Sequence, residues 1–198
     1  MHINFHIHQL IYLNNMKYNI IACVNDKLAL GKNNQLLYSI KDDMKRFVSL
    51  TTHNIVIMGR KTYESIPNAP LKNRLNIIIS SNKEFFIEPP QENVIIVHSI
   101  DEAIEYCETF EDILKLNNEN IQAYVIGGAS IYSAFIEKGI INEAFITKVN
   151  ATDDGDAYFP DIFNNDNWET THESAICQND GQPFSFQFLT LRNKNNDN

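Results

Sequence analysis

The chain has 198 residues, a length typical of one domain, and 43% of them are hydrophobic, which is enough for a sizeable core. Its formal net charge is −9 and its pI is near 5.1, which argues against a nucleic-acid backbone or an anionic membrane as the main partner. No stretch of about 18 uncharged apolar residues occurs, so no transmembrane helix is expected.

The first fifteen residues contain three histidines but no Lys or Arg, and no acidic or Cys partner follows. We therefore expect residues 1–15 to be a flexible extension, neither a targeting leader nor a metal site. The domain is expected over residues 16–192, followed by a frayed polar tail at 193–198. Cys23, Cys107 and Cys177 are widely spaced and odd in number, which predicts reduced thiols in a cytoplasmic protein.

Apolar β-branched runs alternate with helical patterns, which is typical of an α/β sheet with helices packed on it. Strands are predicted at Tyr18–Val24, Ile55–Met58, Leu75–Ser80, Val94–Val97, Ala123–Ile126, Glu143–Val149, Glu169–Ile176 and Phe184–Leu191. Runs such as NIIACV, NIVIM and LNIIIS are continuously apolar, which indicates interior strands of a largely parallel sheet. The last two strands alternate more and are joined by QNDGQP, which predicts an antiparallel hairpin.

Helix signals fall between the strands. Ser39 and Asp42 are predicted to open a helix that runs through Leu50, and Ser99 with Glu102 forms a capping box for a second. The second helix is expected to continue into the acidic stretch ETFEDILKLNNEN at the surface. A third helix is indicated by apolar residues at helical spacing, namely Ile131, Tyr132, Phe135 and Ile136.

Asp43 lies on the first of these helices, four residues before Phe47, and so shares its side of the helix. Negative charge is stabilised at a helix N-terminus by the macrodipole, which alone could explain both Asp42 and Asp43. Inside a pocket, however, the same carboxylate could bind an amidine-like pair of donors through both oxygens. The segment alone leaves both interpretations open.

Two further segments suggest an anion site. Arg60, Lys61 and Thr62 follow a strand that ends in Gly59, and this placement at a helix N-terminus suits a phosphate, although solvated cations at a plain turn are also common. The pair Gly127-Gly128 follows a buried strand and can bring backbone amides close to a ligand, but packing explains most such pairs. This pair is not a GxGxxG fingerprint, so the usual dinucleotide fold is not predicted.

Seven segments, in this order and spacing, resemble dihydrofolate reductase from Tyr18 to about Leu191. They are IIACVNDKLALGKNNQL, DDMKRF, VIMGRKTYESIP, PLKNRLNIIISS, VIGGASIY, FITKV and DGDAYFP. The resemblance implies an α/β, dihydrofolate-reductase-like three-layer fold: a mostly parallel eight-stranded sheet with a C-terminal antiparallel hairpin and helices on both faces. It also implies NADPH-dependent reduction of 7,8-dihydrofolate to 5,6,7,8-tetrahydrofolate.

The resemblance assigns catalytic roles to three residues. Asp43 binds the pterin ring and favours its protonation, Thr147 supports Asp43 through its hydroxyl, and Tyr38 lies near the proton-donating water. Substrate contacts are implied for Cys23, Met44, Phe47, Ile66, Leu71, Arg74, Ile126 and Tyr132, with Arg74 as the clamp for the glutamate carboxylate. NADPH contacts are implied for Ala22, Leu30, Gly31, Gly59, Arg60, Lys61, Thr62, Ser80, Ser81, Gly127, Gly128, Ala129, Ser130 and Ile131, with a cis peptide between the two adjacent glycines.

The chain departs from the family pattern beside the site. The usual Leu-Pro-Trp of the active-site loop is Leu36-Leu37-Tyr38, and Lys41 replaces a proline before the catalytic helix. Two alternatives are a reductase of another heterocycle, such as the flavin-pathway pyrimidine, and a non-catalytic ligand-binding module. The resemblance favours a monomer, free-standing or fused to thymidylate synthase, with no nucleic acid, membrane or metal partner.

Overall fold

The computed structural model describes residues 16–115 and 121–196. The strands are β1 (Tyr18–Val24), β2 (Ala29–Lys32), β3 (Gln35–Leu36), β4 (Ile55–Gly59), β5 (Leu75–Ile79), β6 (Val94–Val97), β7 (Ala123–Gly127), β8 (Ile141–Val149), β9 (Ala157–Tyr158), β10 (Trp168–Glu173) and β11 (Phe186–Asn193). The helices are α1 (Lys41–Thr51), α2 (Arg60–Ser65), α3 (Ile100–Lys115) and α4 (Ala129–Glu137). Within the described ranges no helix is both long and apolar enough to cross a membrane.

Eight strands form the central sheet, in the order β10-β11-β8-β1-β7-β4-β5-β6. The pairs from β8 through β6 are parallel, and β11 pairs antiparallel with both β8 and β10. The fold class predicted from the sequence is therefore confirmed. The continuously apolar runs indicated it because a parallel strand covered on both faces needs apolar side chains in both directions.

Alternate residues of the central strands face two separate cores. Ile55 and Ile57 of β4 point into the main core, together with Cys107 of α3 and Phe135 of α4. Val56 and Met58 point the other way, into a smaller cluster. This cluster also contains Ile66 and Leu71, which come after α2 in the chain. The sheet therefore has helices on both faces, with the main core under α3 and α4.

The hairpin strands differ from their predicted bounds. β10 ends at Glu173 where Ile176 was expected, and β11 begins at Phe186 where Phe184 was expected. The ladder is interrupted because the Ser174 hydroxyl accepts the Phe188 amide at 2.9 Å. Pairing resumes only as a single bridge between Cys177 and Phe186.

A second, three-stranded sheet, in the order β3-β2-β9, was not predicted. Its strands have only two to four residues, which is too few to give a periodic signal. Gly31 of β2 is closely surrounded: a Cβ there would lie 2.5 Å from the Gln35 carbonyl oxygen. This small sheet joins the loop after β1 to the loop after β8.

Two predictions about the ends of elements need correction. The expected Ser39–Asp42 cap of α1 is wrong, because Ile40 is the N-cap residue without a side-chain bond, and Asp42 instead pairs with Lys45 at 2.7 Å. The tail is not frayed over residues 193–196, since Asn196 Nδ2 donates to the carbonyl oxygens of Gly139 and Ile141. Residues 1–15, 116–120 and 197–198 lie outside the described residues.

The predicted capping of α3 is largely confirmed. The Ser99 hydroxyl accepts the Glu102 amide at 3.1 Å. The Glu102 carboxylate accepts the amide of His98 at 2.8 Å, one residue before the expected position. Both bonds satisfy amides that a helix start leaves without intrahelical partners.

Candidate active site

The structure brings Asp43 and Thr147 together, as the resemblance implies. Asp43 lies in the first turn of α1, and its Oδ1 accepts a hydrogen bond of 2.5 Å from the Thr147 hydroxyl. Thr147 is buried on β8, where its neighbour Ile146 faces the main core. Because side chains alternate along a strand, Thr147 faces the opposite side, toward α1. The strand thus fixes the carboxylate of the helix.

Burial raises the pKa of Asp43, while the Thr147 hydrogen bond and the nearby charge of Arg46 lower it. Cys23 lies opposite Thr147 on β1, and burial together with the Asp43 charge raises the pKa of its thiol. Burial and the same charge also raise the pKa of Tyr132. Cys23 and Tyr132 therefore keep their protons near neutral pH, and Asp43 is the group of these three that can change its charge.

The Tyr38 hydroxyl, which is expected to lie near an active-site water, has two partners within the protein. Its hydroxyl donates to Asp153 Oδ2 at 2.9 Å and accepts from Asn25 Nδ2 at 3.0 Å. The ring is buried and meets Phe184 edge-on, with 5.0 Å between centroids. Its one hydroxyl proton is thus committed to Asp153, so Tyr38 can only accept from a water. Nothing in the sequence singled out Asn25 or Asp153.

Phe47 and Arg74 lie together near the end of α1. The Arg74 guanidinium lies 5.8 Å from the Phe47 ring centroid and donates to the hydroxyls of Thr51 and Thr52 at 2.8 and 3.2 Å. It also donates to the Lys72 carbonyl oxygen at 2.6 Å. Arg74 is therefore held in a fixed orientation, which suits the proposed carboxylate clamp.

The other implied substrate residues have different surroundings. Ile66 and Leu71 pack partly buried against the smaller core cluster beside β4. Met44 remains 46% exposed and lines an outer groove of α1 together with Val48 and Asn179. Met44 is thus available to a ligand but is not enclosed with Asp43.

A cleft of about 970 Å³ opens at the carboxyl ends of the parallel strands, the usual place for a ligand in an α/β sheet. Of the residues assigned to NADPH, it is lined by Leu30, Gly31, Gly59, Arg60, Lys61, Thr62, Ser80, Ser81, Gly127, Gly128, Ala129, Ser130 and Ile131. Ile126 and Tyr132 line it as well. Ala22 does not, because its side chain is buried in the main core.

The glycines shape the floor of this cleft. The implied cis peptide between Gly127 and Gly128 is present, and Gly127 has a φ of 117°. A Cβ at Gly127 would lie 3.2 Å from the ring of Tyr132, and one at Gly59 would lie 3.1 Å from Ile131. A side chain at either position would force its neighbour to shift, and glycine instead lets the backbone itself form the surface that a ligand meets.

Arg60 and Lys61, two cations of the cleft, differ in how far their side chains are engaged by other residues. Arg60 pairs with Glu64 at 2.7 Å and lies over the Phe85 ring at 5.9 Å, whereas Lys61 is exposed in the first turn of α2. Sequence reasoning missed several residues that line the same cleft, namely Lys32, Asn34, Asn82, His98 and Tyr158. The position of His98 directly after β6 was a usable signal, because the ends of parallel strands meet at one edge.

A partly buried carboxylate beside a glycine-lined, cation-bearing cleft in a parallel sheet is typical of a nucleotide-binding α/β enzyme. The family model for dihydrofolate reductase matches residues 17–193, nearly all of the described chain. The chain therefore belongs to the dihydrofolate reductase family.

Individual relatives agree with this assignment. The dihydrofolate reductase of Heliothis virescens is 33% identical over 159 residues, covering 76% of this chain and 82% of that protein. That of Buchnera aphidicola (from Acyrthosiphon pisum) is 32% identical over 176 residues, covering 89% and 99%. The solved structure of the Enterococcus faecalis dihydrofolate reductase, complexed with NADP(H) and RAB-propyl, matches with a TM-score of 0.73 and 24% identity, covering 89% of this chain and 96% of that one. This last likeness shows the shared fold.

Proposed function

We propose that the protein reduces 7,8-dihydrofolate to 5,6,7,8-tetrahydrofolate with NADPH. The observation that carries the proposal is the partly buried Asp43–Thr147 pair beside the glycine-lined cleft. Tyr132 links the two, since it lines the cleft and its hydroxyl is influenced by the charge of Asp43. A nucleotide in the cleft and a ring at Asp43 would thus lie next to each other, and proximity supplies much of the catalysis in a hydride transfer.

In this proposal Asp43, ionised and oriented by Thr147, accepts hydrogen bonds from the 2-amino group and a ring N–H of the pterin. Its negative charge stabilises positive charge on the ring and so favours a proton on the nitrogen of the C=N bond being reduced. NADPH, when bound, supplies the hydride that adds to the carbon of that bond.

The proton itself comes from water. The raised pKa values of Cys23 and Tyr132 make both groups poor acids, and the Tyr38 proton is held by Asp153. A water molecule at the ring nitrogen is therefore the donor that fits this site best. Asp43 sets the charge that draws this proton to the ring.

The residues of the cleft fit NADPH. A protein of net charge −9 nonetheless places Arg60, Lys61 and Lys32 at one cleft, and such local cations suit the phosphates of the cofactor. The Thr62 hydroxyl and the amides around Gly128 add neutral donors to this set. Ser80 and Ser81 lie at the same edge, where we propose that they contact the 2′-phosphate.

The activity is tested with purified protein, NADPH and dihydrofolate. We expect NADPH consumption that depends on dihydrofolate, tetrahydrofolate as the product by mass spectrometry, and a large loss in an Asp43→Asn variant. Consumption with the flavin-pathway pyrimidine but not with dihydrofolate would assign the second heterocycle instead. Binding of both ligands without turnover would identify a non-catalytic module.

We also propose a cytoplasmic monomer whose product serves thymidylate synthesis, with a fused or separate thymidylate synthase. The Cys23 and Cys107 thiols are free and have raised pKa values, that of Cys107 reaching about 12, which suits a reducing compartment. The exposed edge strand β10 reads WETTHE, and charged residues on an edge discourage pairing with a second sheet. Light scattering after size-exclusion chromatography tests the oligomeric state.

A further inference from the structure

Arg46 occupies an unusual place behind the proposed catalytic carboxylate. It lies on α1 three residues after Asp43, and its guanidinium is partly buried against the sheet. It donates to the Ile146 carbonyl oxygen at 3.3 Å and to the Leu189 carbonyl oxygen at 3.2 Å. These two acceptors belong to paired residues of β8 and β11. Arg46 therefore ties the helix to two adjacent strands.

Aromatic rings complete this setting. The guanidinium lies 4.8 Å from the Phe188 ring centroid and 5.6 Å from that of Phe145. Contacts with ring faces and carbonyl oxygens stabilise a cation but do not neutralise it. Burial lowers the pKa of Arg46, yet an arginine stays protonated at any physiological pH. The fold thus holds a permanent positive charge at a partly desolvated position.

The two contacts of α1 with β8 are adjacent. Asp43 accepts from Thr147, and Arg46 donates to the carbonyl of Ile146, the preceding residue of the same strand. A movement of α1 that broke the second contact would also displace the first. In addition, the charge of Arg46 stabilises the ionised form of Asp43. Arg46 therefore acts on Asp43 both by geometry and by charge.

We propose that Arg46 is a positioning residue for the reaction: it clamps α1 onto β8 and β11 and keeps a fixed positive charge behind the Asp43 carboxylate. The proposal rests on the proposed function for its catalytic consequence. Its structural and electrostatic content concerns the free protein and can be tested without turnover.

The other groups that face Asp43 do not supply this charge. Cys23 of β1 and Tyr132 of α4 are neutral near physiological pH because their pKa values are raised, and Thr147 of β8 does not titrate. On α1 itself, Asp42 and Lys45 pair with each other at 2.7 Å on the exposed side. Arg46 is thus the cation that the structure couples to Asp43.

The test compares Arg46→Met, which removes the charge and the donors at similar length, with Arg46→Lys, which keeps the charge but loses the planar fork. Lys45→Met is the matched control, because it removes a positive charge from the neighbouring exposed position of the same helix. The readout is the titration midpoint of the Asp43 side-chain carboxyl, followed by carbon NMR in the free protein. Circular dichroism and thermal melting confirm that each variant is folded.

We expect Arg46→Met to move the Asp43 midpoint upward by about half to one pH unit, the effect of one charge at several ångströms in a partly buried site. Arg46→Lys should move it less than half as far, and Lys45→Met should leave it within about 0.2 unit, since exposed charges are screened. In turnover, the inflection of log kcat/KM against pH should move in the same direction in Arg46→Met.

An unchanged midpoint in a folded Arg46→Met protein would overturn the proposal, and so would an equal shift in Arg46→Met and Arg46→Lys. If Arg46→Met does not fold, Arg46→Gln replaces it in the same comparison with Arg46→Lys. A shifted midpoint in a protein that never consumes NADPH with dihydrofolate would refute the proposed function while leaving the positioning role intact.

Discussion

The hydroxyl of Thr147 donates to the carboxylate of Asp43 although the two residues lie 104 positions apart in the chain. The bond joins the first turn of α1 to the last part of β8. A buried carboxylate loses hydration, and a donated hydrogen bond replaces part of what it loses. This pair therefore determines both where the charge lies and how readily it forms.

Replacement of Thr147 by valine keeps the shape of the side chain but removes the donor. Because the hydrogen bond lowers the pKa of Asp43, its loss should raise that pKa and move the inflection of kcat/KM to higher pH. A bond to a charged group is worth roughly 1.5–3 kcal/mol, so we expect activity to fall about tenfold or more. Steady-state rates across pH measure both effects. Thr147→Ser, which keeps the hydroxyl, should retain the wild-type profile; a shift in both variants would rule out the hydrogen bond as its cause.

Asp43→Asn should make the enzyme more stable at neutral pH while removing its activity. Burial raises the folded-state pKa of Asp43 above the ordinary value of 3.8, so the folded protein binds this proton more tightly than the unfolded chain does. That stabilisation is complete below the unfolded value and is lost as the pH rises through the folded value. Asparagine stays neutral at every pH. The gain in stability of Asp43→Asn over the wild type should therefore be greatest at pH values above the folded-state pKa of Asp43.

Thermal melting from about pH 4 to pH 8 measures this effect. We expect the Tm difference between Asp43→Asn and the wild type to grow by a few degrees as the pH rises. Asp42→Asn, which removes an exposed carboxylate that pairs with Lys45 on the same helix, serves as the control and should not become more stable than the wild type. A difference independent of pH would mean that Asp43 does not carry a buried charge.

The interior strands β1, β4, β5 and β7 of the central sheet could be predicted because they are nearly continuous apolar runs. The small sheet of β2, β3 and β9 could not, because its strands are very short and β9 pairs with β2 from a loop far away in the sequence. Its residues carry no pattern of their own. Only the tertiary arrangement of the two loops creates this sheet.

The site shows the same division. Asp43, Thr147 and the glycines of the cleft lie in motifs that the sequence displays. Arg46 gave no signal, since an arginine in the sequence KDDMKRFV is typical of a solvated helix face. Its burial depends on Phe145 and Phe188, which approach from distant strands. The partners of Tyr38 were equally hidden, because Asp153 belongs to a loop more than a hundred residues away.

Arg74→Met should weaken binding of dihydrofolate without slowing the chemical step. The guanidinium is fixed by Thr51 and Thr52, and loss of one partner from a charge pair commonly costs 2–5 kcal/mol. We therefore expect KM for dihydrofolate to rise about 30-fold or more with kcat nearly unchanged. A contact remote from the reacting ring stabilises the bound substrate and the transition state equally. Steady-state kinetics with a dihydropterin that lacks the glutamate provides the control, since this substrate should not distinguish the variant from the wild type.

We expect Lys61 to contact the 2′-phosphate of NADPH, so Lys61→Met should reduce the preference for NADPH over NADH. Lys61 is exposed at the cleft, while Arg60 is already paired with Glu64, so Lys61 is the freer of the two adjacent cations. We expect KM for NADPH to rise about tenfold, equivalent to about 1.4 kcal/mol, and KM for NADH to remain unchanged. Lys17→Met is the control. It removes an exposed charge just before β1, at the edge of the sheet opposite the cleft, and should affect the binding of neither cofactor. An equal rise for both cofactors in Lys61→Met would mean that Lys61 does not recognise the 2′-phosphate.

Gly127→Ala and Gly139→Ala separate the effect of backbone conformation from that of crowding. Both glycines have positive φ, 117° and 71°, but a Cβ at Gly139 meets nothing within 4 Å, whereas one at Gly127 would lie 3.2 Å from the Tyr132 ring. Gly139→Ala should therefore cost only about 1 kcal/mol of unfolding free energy. Gly127→Ala should cost about 3 kcal/mol or more, because the Tyr132 ring must also move.

Urea denaturation measures both costs, and a double variant identifies the collision. Tyr132 is held by its bond to the Ile21 carbonyl oxygen at 2.8 Å and by the Phe159 ring, so it cannot easily move aside. Tyr132→Leu removes the ring atoms that the new Cβ would meet, and the combined variant should therefore be less destabilised than the sum of the single ones. If the two costs simply add, conformation alone explains the requirement for glycine. A favourable coupling would show that Tyr132 and Gly127 form the floor of the cleft as one packed unit.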